Sequence, residues 1–145
     1  MRIAPGDAEI TLSSCGRHFA TMEAACRRSG GIASDGDVAL MLRSCSDQPL
    51  SRLARWIAAR DVVSFECRAT TWLPLFQFDG AAPSVLPPVT AVIRELTDVF
   101  DDWELAAWFA LPNAWLRGRT PVEVLAGHPS AVREAARADR FIARG

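Results

Sequence analysis

Apolar residues recur every three or four positions along most of this chain, a spacing typical of amphipathic helices. The pattern predicts a first helix over residues 15–28, preceded by an arm without clear periodicity. It resumes after Ser34, which we interpret as the N-cap of a second helix, and again after Pro49, which fits the first turn of a third. The inward stripe predicted for this third helix consists of Leu50, Leu53, Ala54, Ile57 and Ala58. Two short helices with a short polar break between them predict a helix-turn-helix.

The periodicity then changes, because apolar and polar residues alternate over residues 62–67. A second extended stretch covers residues 72–78, and the two stretches predict a β-hairpin. Within the second stretch, Pro74 favours an edge position, since proline lacks a backbone N–H donor. A helix-turn-helix followed by a hairpin is the order of a winged helix. Residues 79–88 are rich in Gly, Ala and Pro and predict a linker.

Beyond the linker the pattern is wholly helical. Asp101 and Thr120 are each followed, three residues on, by a glutamate, which is the signature of a capping box at a helix start. Pro112 is expected to end the helix that begins near Asp101. A last helix begins near Pro129. Its predicted inward residues are Val132, Ala135, Ala136 and Phe141.

These elements predict a mainly α fold with a small β-hairpin. The domain limits that we predict are an N-terminal arm and helix (1–33), a winged-helix-like part with helix-turn-helix and hairpin (34–78), a linker (79–88) and a small helical domain (89–145).

Composition excludes several kinds of chemistry. The 145 residues have a net charge of −1, so a bulk polycation for nucleic acid is absent and any DNA contact must be local. All 16 basic residues are arginine, which excludes Schiff-base lysines and the lysine of a phosphate-binding loop. The longest apolar runs are far too short for a membrane span, and the start does not resemble a signal peptide. We therefore expect a soluble, cytoplasmic protein with no membrane partner.

Cysteine and histidine give little support for catalysis or metal binding. The four cysteines are widely spaced, so we expect reduced, mostly buried thiols. A zinc site using Cys15, His18 and Cys26 is the alternative, but it lacks a nearby fourth ligand. His18 and His128 lie far apart, and no serine nucleophile motif is present. We predict no catalytic site, no metal site and no cofactor.

The predicted helix-turn-helix carries side chains suited to reading DNA. Arginine can form two parallel hydrogen bonds to guanine or bind phosphate, and glutamine can form two to adenine. The predicted DNA-contacting residues are Arg43, Gln48, Ser51, Arg52 and Arg55. The alternative is an ordinary solvated face on a helix whose other side belongs to the core.

A series of short motifs between residues 72 and 136 resembles a known family. The motifs are Pro74-Leu-Phe-Gln-Phe-Asp79, Trp103-Glu-Leu-Ala-Ala-Trp-Phe109, Pro112-Asn113, Trp115-Leu-Arg-Gly118 and Arg119-Thr-Pro-Val-Glu-Val-Leu125. In this order and at these spacings they resemble the toxin-binding domain of the Xre/MbcA/ParS antitoxins. Residues 32–65 resemble the DNA-binding segment of that family more loosely. The first helix has no counterpart in the resemblance.

The resemblance implies a bacterial antitoxin, not an enzyme, that neutralises a RES-domain toxin acting on NAD. It also implies repression of the antitoxin's own operon through the N-terminal part. It assigns the toxin-facing surface to Trp108, Asn113, Trp115, Leu116, Gly118 and Pro121. For Leu116, Gly118 and Pro121, a purely conformational role is the alternative.

A second interpretation is a free-standing winged-helix transcription regulator whose C-terminal part only mediates dimerisation. An enzyme ranks third among the interpretations. We expect a homodimer, because DNA-reading proteins usually pair two half-sites.

Overall fold

The computed structural model of the protein describes residues 5–80 and 84–145. The fold is mainly helical with one small antiparallel sheet. The helices are α1 (Pro5–Cys26), α2 (Asp35–Leu42), α3 (Pro49–Ala58), α4 (Pro87–Leu96), α5 (Asp102–Ala110), α6 (Pro121–Leu125) and α7 (Pro129–Arg144). The strands are β1 (Ile32–Ser34), β2 (Phe65–Cys67) and β3 (Thr70–Pro74). Short 3-10 turns lie at Arg27–Ser29, Leu75–Gln77 and Ala114–Leu116.

Capping residues start three of the helices where the sequence predicts. The hydroxyl of Ser34 accepts a hydrogen bond from the Asp37 backbone N–H at the start of α2. Asp101 and Thr120 each complete a capping box with the glutamate three residues on, at the starts of α5 and α6. These side chains satisfy backbone N–H groups that the first helical turn leaves unpaired, so the predicted starts are confirmed.

The first helix is longer than predicted. α1 begins at Pro5, so most of the predicted arm is helical, while residues 1–4 lie outside the described part of the chain. Proline is well suited to a first helical turn, because its missing N–H would be unpaired there in any case. Farther along α1, Met22 and Cys26 enter the core.

The sheet has three strands, in the order β1-β3-β2. The prediction that the second hairpin strand lies at an edge is therefore wrong, because β3 is central. Pro74 is tolerated because it is the last residue of β3, opposite Ile32 of β1, and the chain turns away directly after it. The strand β1 was not predicted, since three residues are too few to show alternation. Arg68 and Ala69, with φ angles of 54° and 63°, form the two-residue turn between β2 and β3.

Two hydrophobic clusters form the interior. The smaller one lies among α2, α3 and β3 and includes Leu42, Leu53 and Leu73. The larger one combines α4 to α7 with residues from α1 and β2, such as Phe65. Buried residues from both sides of the predicted linker therefore share one cluster.

Gln77 is fully buried at the junction of these clusters. Its Oε1 accepts a hydrogen bond of 2.7 Å from the Val63 N–H. Its Nε2 donates to the Val63 carbonyl at 2.8 Å and to the Pro74 carbonyl at 2.9 Å. One amide thus satisfies three backbone groups that strand pairing does not reach. Because an unpaired buried polar group is costly, this contact fixes the segment before β2 against the end of β3.

Arg60 joins the end of α3 to the connection between α4 and α5. Its guanidinium donates to the carbonyls of Thr97 at 2.9 Å and Phe100 at 2.8 Å. It also lies 3.2 Å from a carboxylate oxygen of Asp102. A cation is favourable here, because the carbonyls at the end of a helix carry partial negative charge.

An ionic ladder joins α4 to α7. The nearly buried carboxylate of Glu95 lies 3.1 to 3.4 Å from the guanidinium groups of Arg133, Arg137 and Arg140. Burial acts to raise the pKa of Glu95, but hydrogen bonds and charge from Arg137 and Arg133 outweigh it and hold the pKa below its ordinary value. Glu95 therefore stays ionised, and the ladder aligns α7 along α4.

The cysteines differ from the expectation of reduced and mostly buried thiols. Cys15 of α1 and Cys67 of β2 form a disulfide with a Cα–Cα distance of 5.8 Å, and Cys45 is exposed. Cys26 alone matches the expectation, and burial raises its pKa to about 11. The partners Cys15 and Cys67 are far apart in sequence, so only the packing of α1 on the sheet brings them together.

Two predicted inward faces are partly wrong. In α3, Leu53 is buried and Ile57 is half-buried, but Leu50, Ala54 and Ala58 are exposed. The helix packs along one narrow side only, so residues at the flanks of the predicted stripe stay in solvent. In α7, Phe141 is 79% exposed, whereas the residues predicted inward earlier in that helix are buried.

No helix in the described part of the chain is long and apolar enough to cross a membrane.

Replacing Gln77 by leucine tests the buried amide. Gln77→Leu keeps a similar volume but leaves three backbone groups without partners. We expect the free energy of unfolding to fall by about 3 kcal/mol or more, since each such group costs about 1–3 kcal/mol. Urea unfolding followed by circular dichroism measures this loss. The control Gln48→Leu, at an exposed site without a side-chain cap, should change stability by less than about 0.5 kcal/mol. Equal stability of the two variants contradicts the role of Gln77.

Candidate functional site

Three of the residues that the resemblance assigns to a toxin-facing surface meet at one carboxylate, Asp139. Trp108 Nε1 donates to Asp139 Oδ2 at 2.7 Å, and Asn113 Nδ2 donates to the same oxygen at 3.0 Å. Trp115 Nε1 donates to Oδ1 at 2.9 Å. An ionised carboxylate only accepts hydrogen bonds, so it suits a ring of three donors. We call Asp139, Trp108, Asn113 and Trp115 the Asp139 cluster.

The Asp139 cluster joins three local structures: α5, α7 and the 3-10 turn Ala114–Leu116. Trp108 lies on α5, and Asp139 lies on α7, which packs against the 3-10 turn Ala114–Leu116. Asn113 is the N-cap of that turn, and its Oδ1 accepts a hydrogen bond of 2.8 Å from the Trp115 backbone N–H. Asn113 therefore acts twice, because its amide oxygen caps the turn while its amide nitrogen reaches Asp139.

Backbone hydrogen bonds close the loop that follows Asn113. The N–H of Asn113 donates to the Arg119 carbonyl at 3.0 Å, and the N–H of Gly118 donates to the Asn113 carbonyl at 2.9 Å. Arg117 and Gly118 have φ angles of 59° and 80°, a left-handed conformation that glycine adopts at little cost. The loop has a defined shape before any partner is present.

Of the remaining residues assigned to the toxin-facing surface, two lie at the base of this loop and one on its outside. Leu116 is buried in the larger hydrophobic cluster, and Pro121 is buried in the first turn of α6. Gly118 is exposed, and apart from its chain neighbours no described residue comes within 4 Å of the position that a Cβ would take. In this conformation Leu116 and Pro121 shape the loop from beneath, and Trp115 is the large apolar side chain at its surface.

The exposed side of the loop is aromatic and cationic. Trp115 is 57% exposed even though its indole N–H is bound to Asp139. Arg117 and Arg119 are exposed on the same loop, and neither forms an ion pair with another residue in the described ranges. The fixed indole can stack on an apolar surface of a partner, and the two unpaired guanidinium groups can pair with its carboxylates.

Asp139 was missed in the sequence analysis, although a signal for it exists. It lies seven residues after Val132 and four after Ala135, two buried residues of α7. At 3.6 residues per turn these positions share one face of the helix. A carboxylate on a buried face needs hydrogen-bond donors, so its place in the apolar stripe points to polar partners.

The predicted DNA-contacting residues lie around the α2–α3 connection and along α3. Arg43 follows α2, and Gln48 is the N-cap of α3; both are exposed. Ser51 and Arg55 are exposed on the outward side of α3. Arg52 differs, because its guanidinium carbon lies over the ring of Trp56, 5.0 Å from the centroid. Arg52 is therefore held against the protein, whereas the side chain of Arg55 is exposed and forms no ion pair with another described residue.

The two histidines are not brought into a catalytic arrangement. The ring of His18 packs on Trp103 with centroids 5.0 Å apart, beside a groove between α1 and α5. His128 is the N-cap of α7 and makes no side-chain capping hydrogen bond. Within residues 5–80 and 84–145, no group of His, Cys, Asp and Glu could hold a metal ion.

Comparisons with known proteins return no match: no protein-family model, no curated protein and no solved structure matches this chain. The likeness of its motifs to the antitoxin family therefore remains a resemblance.

Removing the Asp139 carboxylate tests whether it holds the surface tryptophan. Asp139→Ala leaves two indole N–H groups and one amide without their acceptor. We expect a loss of about 2–3 kcal/mol in the free energy of unfolding, since hydrogen bonds to a charged group contribute about 1.5–3 kcal/mol. In nitrogen-15 NMR spectra, the indole resonances of Trp108 and Trp115 should shift and exchange faster with solvent. The control Glu134→Ala removes an exposed carboxylate from the same helix and should leave both resonances in place. Unmoved indole signals in Asp139→Ala contradict this geometry.

Proposed function

We propose that the protein is the antitoxin of a type II toxin-antitoxin system, and that it binds and neutralises a RES-type toxin that acts on NAD. The observation that carries the proposal is that Trp115 is exposed and yet fixed: its indole N–H donates to Asp139 and its backbone N–H donates to Asn113. The motifs of residues 72–136, with their resemblance to the toxin-binding domain, indicate which class of partner this surface takes.

A fixed and exposed indole favours protein binding for two reasons. Tryptophan and arginine are enriched among the residues that dominate interface energies, and Trp115 shares its exposed loop with Arg117 and Arg119. An anchor that is already held in place loses little side-chain entropy on association. Its N–H is satisfied within the chain, so the exposed ring can be covered without leaving a polar group unpaired.

Substituting the indole is the direct test of toxin binding. Trp115→Ala should weaken binding of the RES-domain toxin by about 2–4 kcal/mol, the range of an interface hot spot. Calorimetry with the purified toxin measures affinity, and rescue of growth in cells expressing the toxin measures neutralisation. Phe141→Ala is the matched control, because it removes another strongly exposed aromatic ring and should leave affinity within about threefold.

The comparison has two outcomes that contradict the proposal. If the parent chain binds no RES-domain protein encoded in its own genome at micromolar concentration, the antitoxin function is wrong. If toxin binding is intact but Trp115→Ala and Phe141→Ala behave alike, the Asp139 cluster is not the toxin-binding site.

As a second activity, we propose that the region from β1 to β3 binds operator DNA as a winged helix. The element order β1, α2, α3, β2, β3 with the sheet order β1-β3-β2 is that of winged-helix proteins. In such a domain α3 enters the major groove, and Arg68 at the β2–β3 turn takes the position of the wing. The alternative function, a free-standing transcription regulator, uses the same DNA surface and differs in having no toxin partner.

The two arginines of α3 should differ in their effects on DNA affinity. Arg55→Ala should weaken binding to a duplex from the chain's own promoter by about 1–3 kcal/mol if the guanidinium reads a guanine. Arg52→Ala should affect DNA binding less, because its guanidinium lies over Trp56, and should instead lower stability by about 0.5–1 kcal/mol. Fluorescence anisotropy at fixed salt gives the affinities. Unchanged binding by Arg55→Ala excludes α3 as the reading helix.

A further inference from the structure

One apolar surface of the helix-turn-helix is not explained by toxin or DNA binding. Leu40 and Met41 of α2 are 59% and 51% exposed, and Leu50 of α3 is 69% exposed. Leu40 and Leu50 line the same groove between the two helices, with a volume of about 520 Å³. We call this groove, with Leu40 and Leu50 along it, the α2–α3 face. Apolar area gathered in this way on a surface marks an interaction site.

The same groove is lined by two charges of opposite sign. Arg43 and Asp47 both lie along it, and in the described part of the chain neither side chain forms an ion pair or a hydrogen bond. Arg43 follows α2, and Asp47 lies just before α3, so the pair borders the apolar groove at the helix connection. The α2–α3 face therefore presents an apolar surface together with one free cation and one free anion.

This combination fits DNA poorly. Leucine side chains gain nothing against phosphates, and the carboxylate of Asp47 would be repelled by them. At about 100° per residue, Leu50 lies about 100° from Ser51 and about 140° from Arg55 around α3. A partner that covers Leu50 can therefore leave the outward side of α3 accessible.

We propose that the α2–α3 face is the contact between two copies of this chain, related by a two-fold axis. In a two-fold interface each pairing occurs twice, because residue i meets j and residue j meets i. Arg43 of one copy pairs with Asp47 of the partner subunit, and Asp47 of the first copy pairs with the partner's Arg43. The exposed leucines pack between these two ion pairs. A single face that carries both members of an ion pair is complementary to itself.

The oligomeric state of the full chain gives the first test. Sedimentation velocity over a concentration series should show a dimer for the parent chain. Leu50→Glu should shift it to monomer, because the glutamate would be buried against apolar surface. The control Leu111→Glu changes a half-exposed leucine outside the α2–α3 face and should remain dimeric. A parent chain that is monomeric at about 100 μM, a weak limit for a specific complex, overturns the proposal.

Charge reversal tests the reciprocal pairing and does not depend on Leu50. Arg43→Asp makes the face wholly acidic, and Asp47→Arg makes it wholly basic, so each variant alone should dimerise at least about tenfold more weakly. Mixing the two variants should produce heterodimers, and the double variant should regain the parent affinity. Single reversals without effect on dimerisation, or a mixture that forms no heterodimer, contradict the proposal. If the reversals change only DNA affinity, the face is a DNA contact and not a dimer interface.

Discussion

The hydrogen bonds of Gln77 connect the two halves of the interior. Val62 packs in the smaller hydrophobic cluster and Val63 in the larger one, so neighbouring residues belong to different cores. The segment at Val62 and Val63 lies before β2 and outside the regular strand pairing, so its backbone groups need other hydrogen-bond partners. Gln77 provides them at Val63 and reaches back to the last carbonyl of β3. Arg60 adds a second connection by binding the end of α4.

The position of the Asp139 cluster depends on contacts far from the loop itself. Glu95 on α4 pairs with three arginines of α7, and these ion pairs limit sliding of α7 along α4. A shift of α7 by one residue would move the Asp139 carboxylate about 1.5 Å along the axis and rotate it about 100° away. The orientation of Trp115 is therefore set by the register of two helices as well as by the loop that carries it.

Local signals in the sequence are enough to predict where some elements begin, but they do not predict which faces of the helices are exposed or the order of the strands. Capping boxes at Asp101 and Thr120 act within a few residues, so sequence alone places the starts of α5 and α6. The exposed side of α3 and the exposure of Phe141 depend on which other elements pack nearby, and periodicity does not report that. The central position of β3 likewise depends on β1, a strand of three residues from before the helix-turn-helix. In the candidate site, the motif resemblance predicts Trp108, Asn113 and Trp115. Predicting Asp139 requires knowing which face of α7 is buried.

The disulfide between Cys15 and Cys67 turns part of the chain into a covalent ring. The two cysteines are 52 residues apart, and the ring contains β1, α2 and α3 but no member of the Asp139 cluster. Closing a loop of this length restricts the unfolded chain and contributes about 4 kcal/mol in the chain-entropy estimate. Because the disulfide closes the ring, a break in the backbone between α2 and α3 would leave the two fragments covalently joined. The proposed dimer surface and the proposed reading helix α3 lie within this covalent ring, whereas the proposed toxin surface is held in place by non-covalent contacts only.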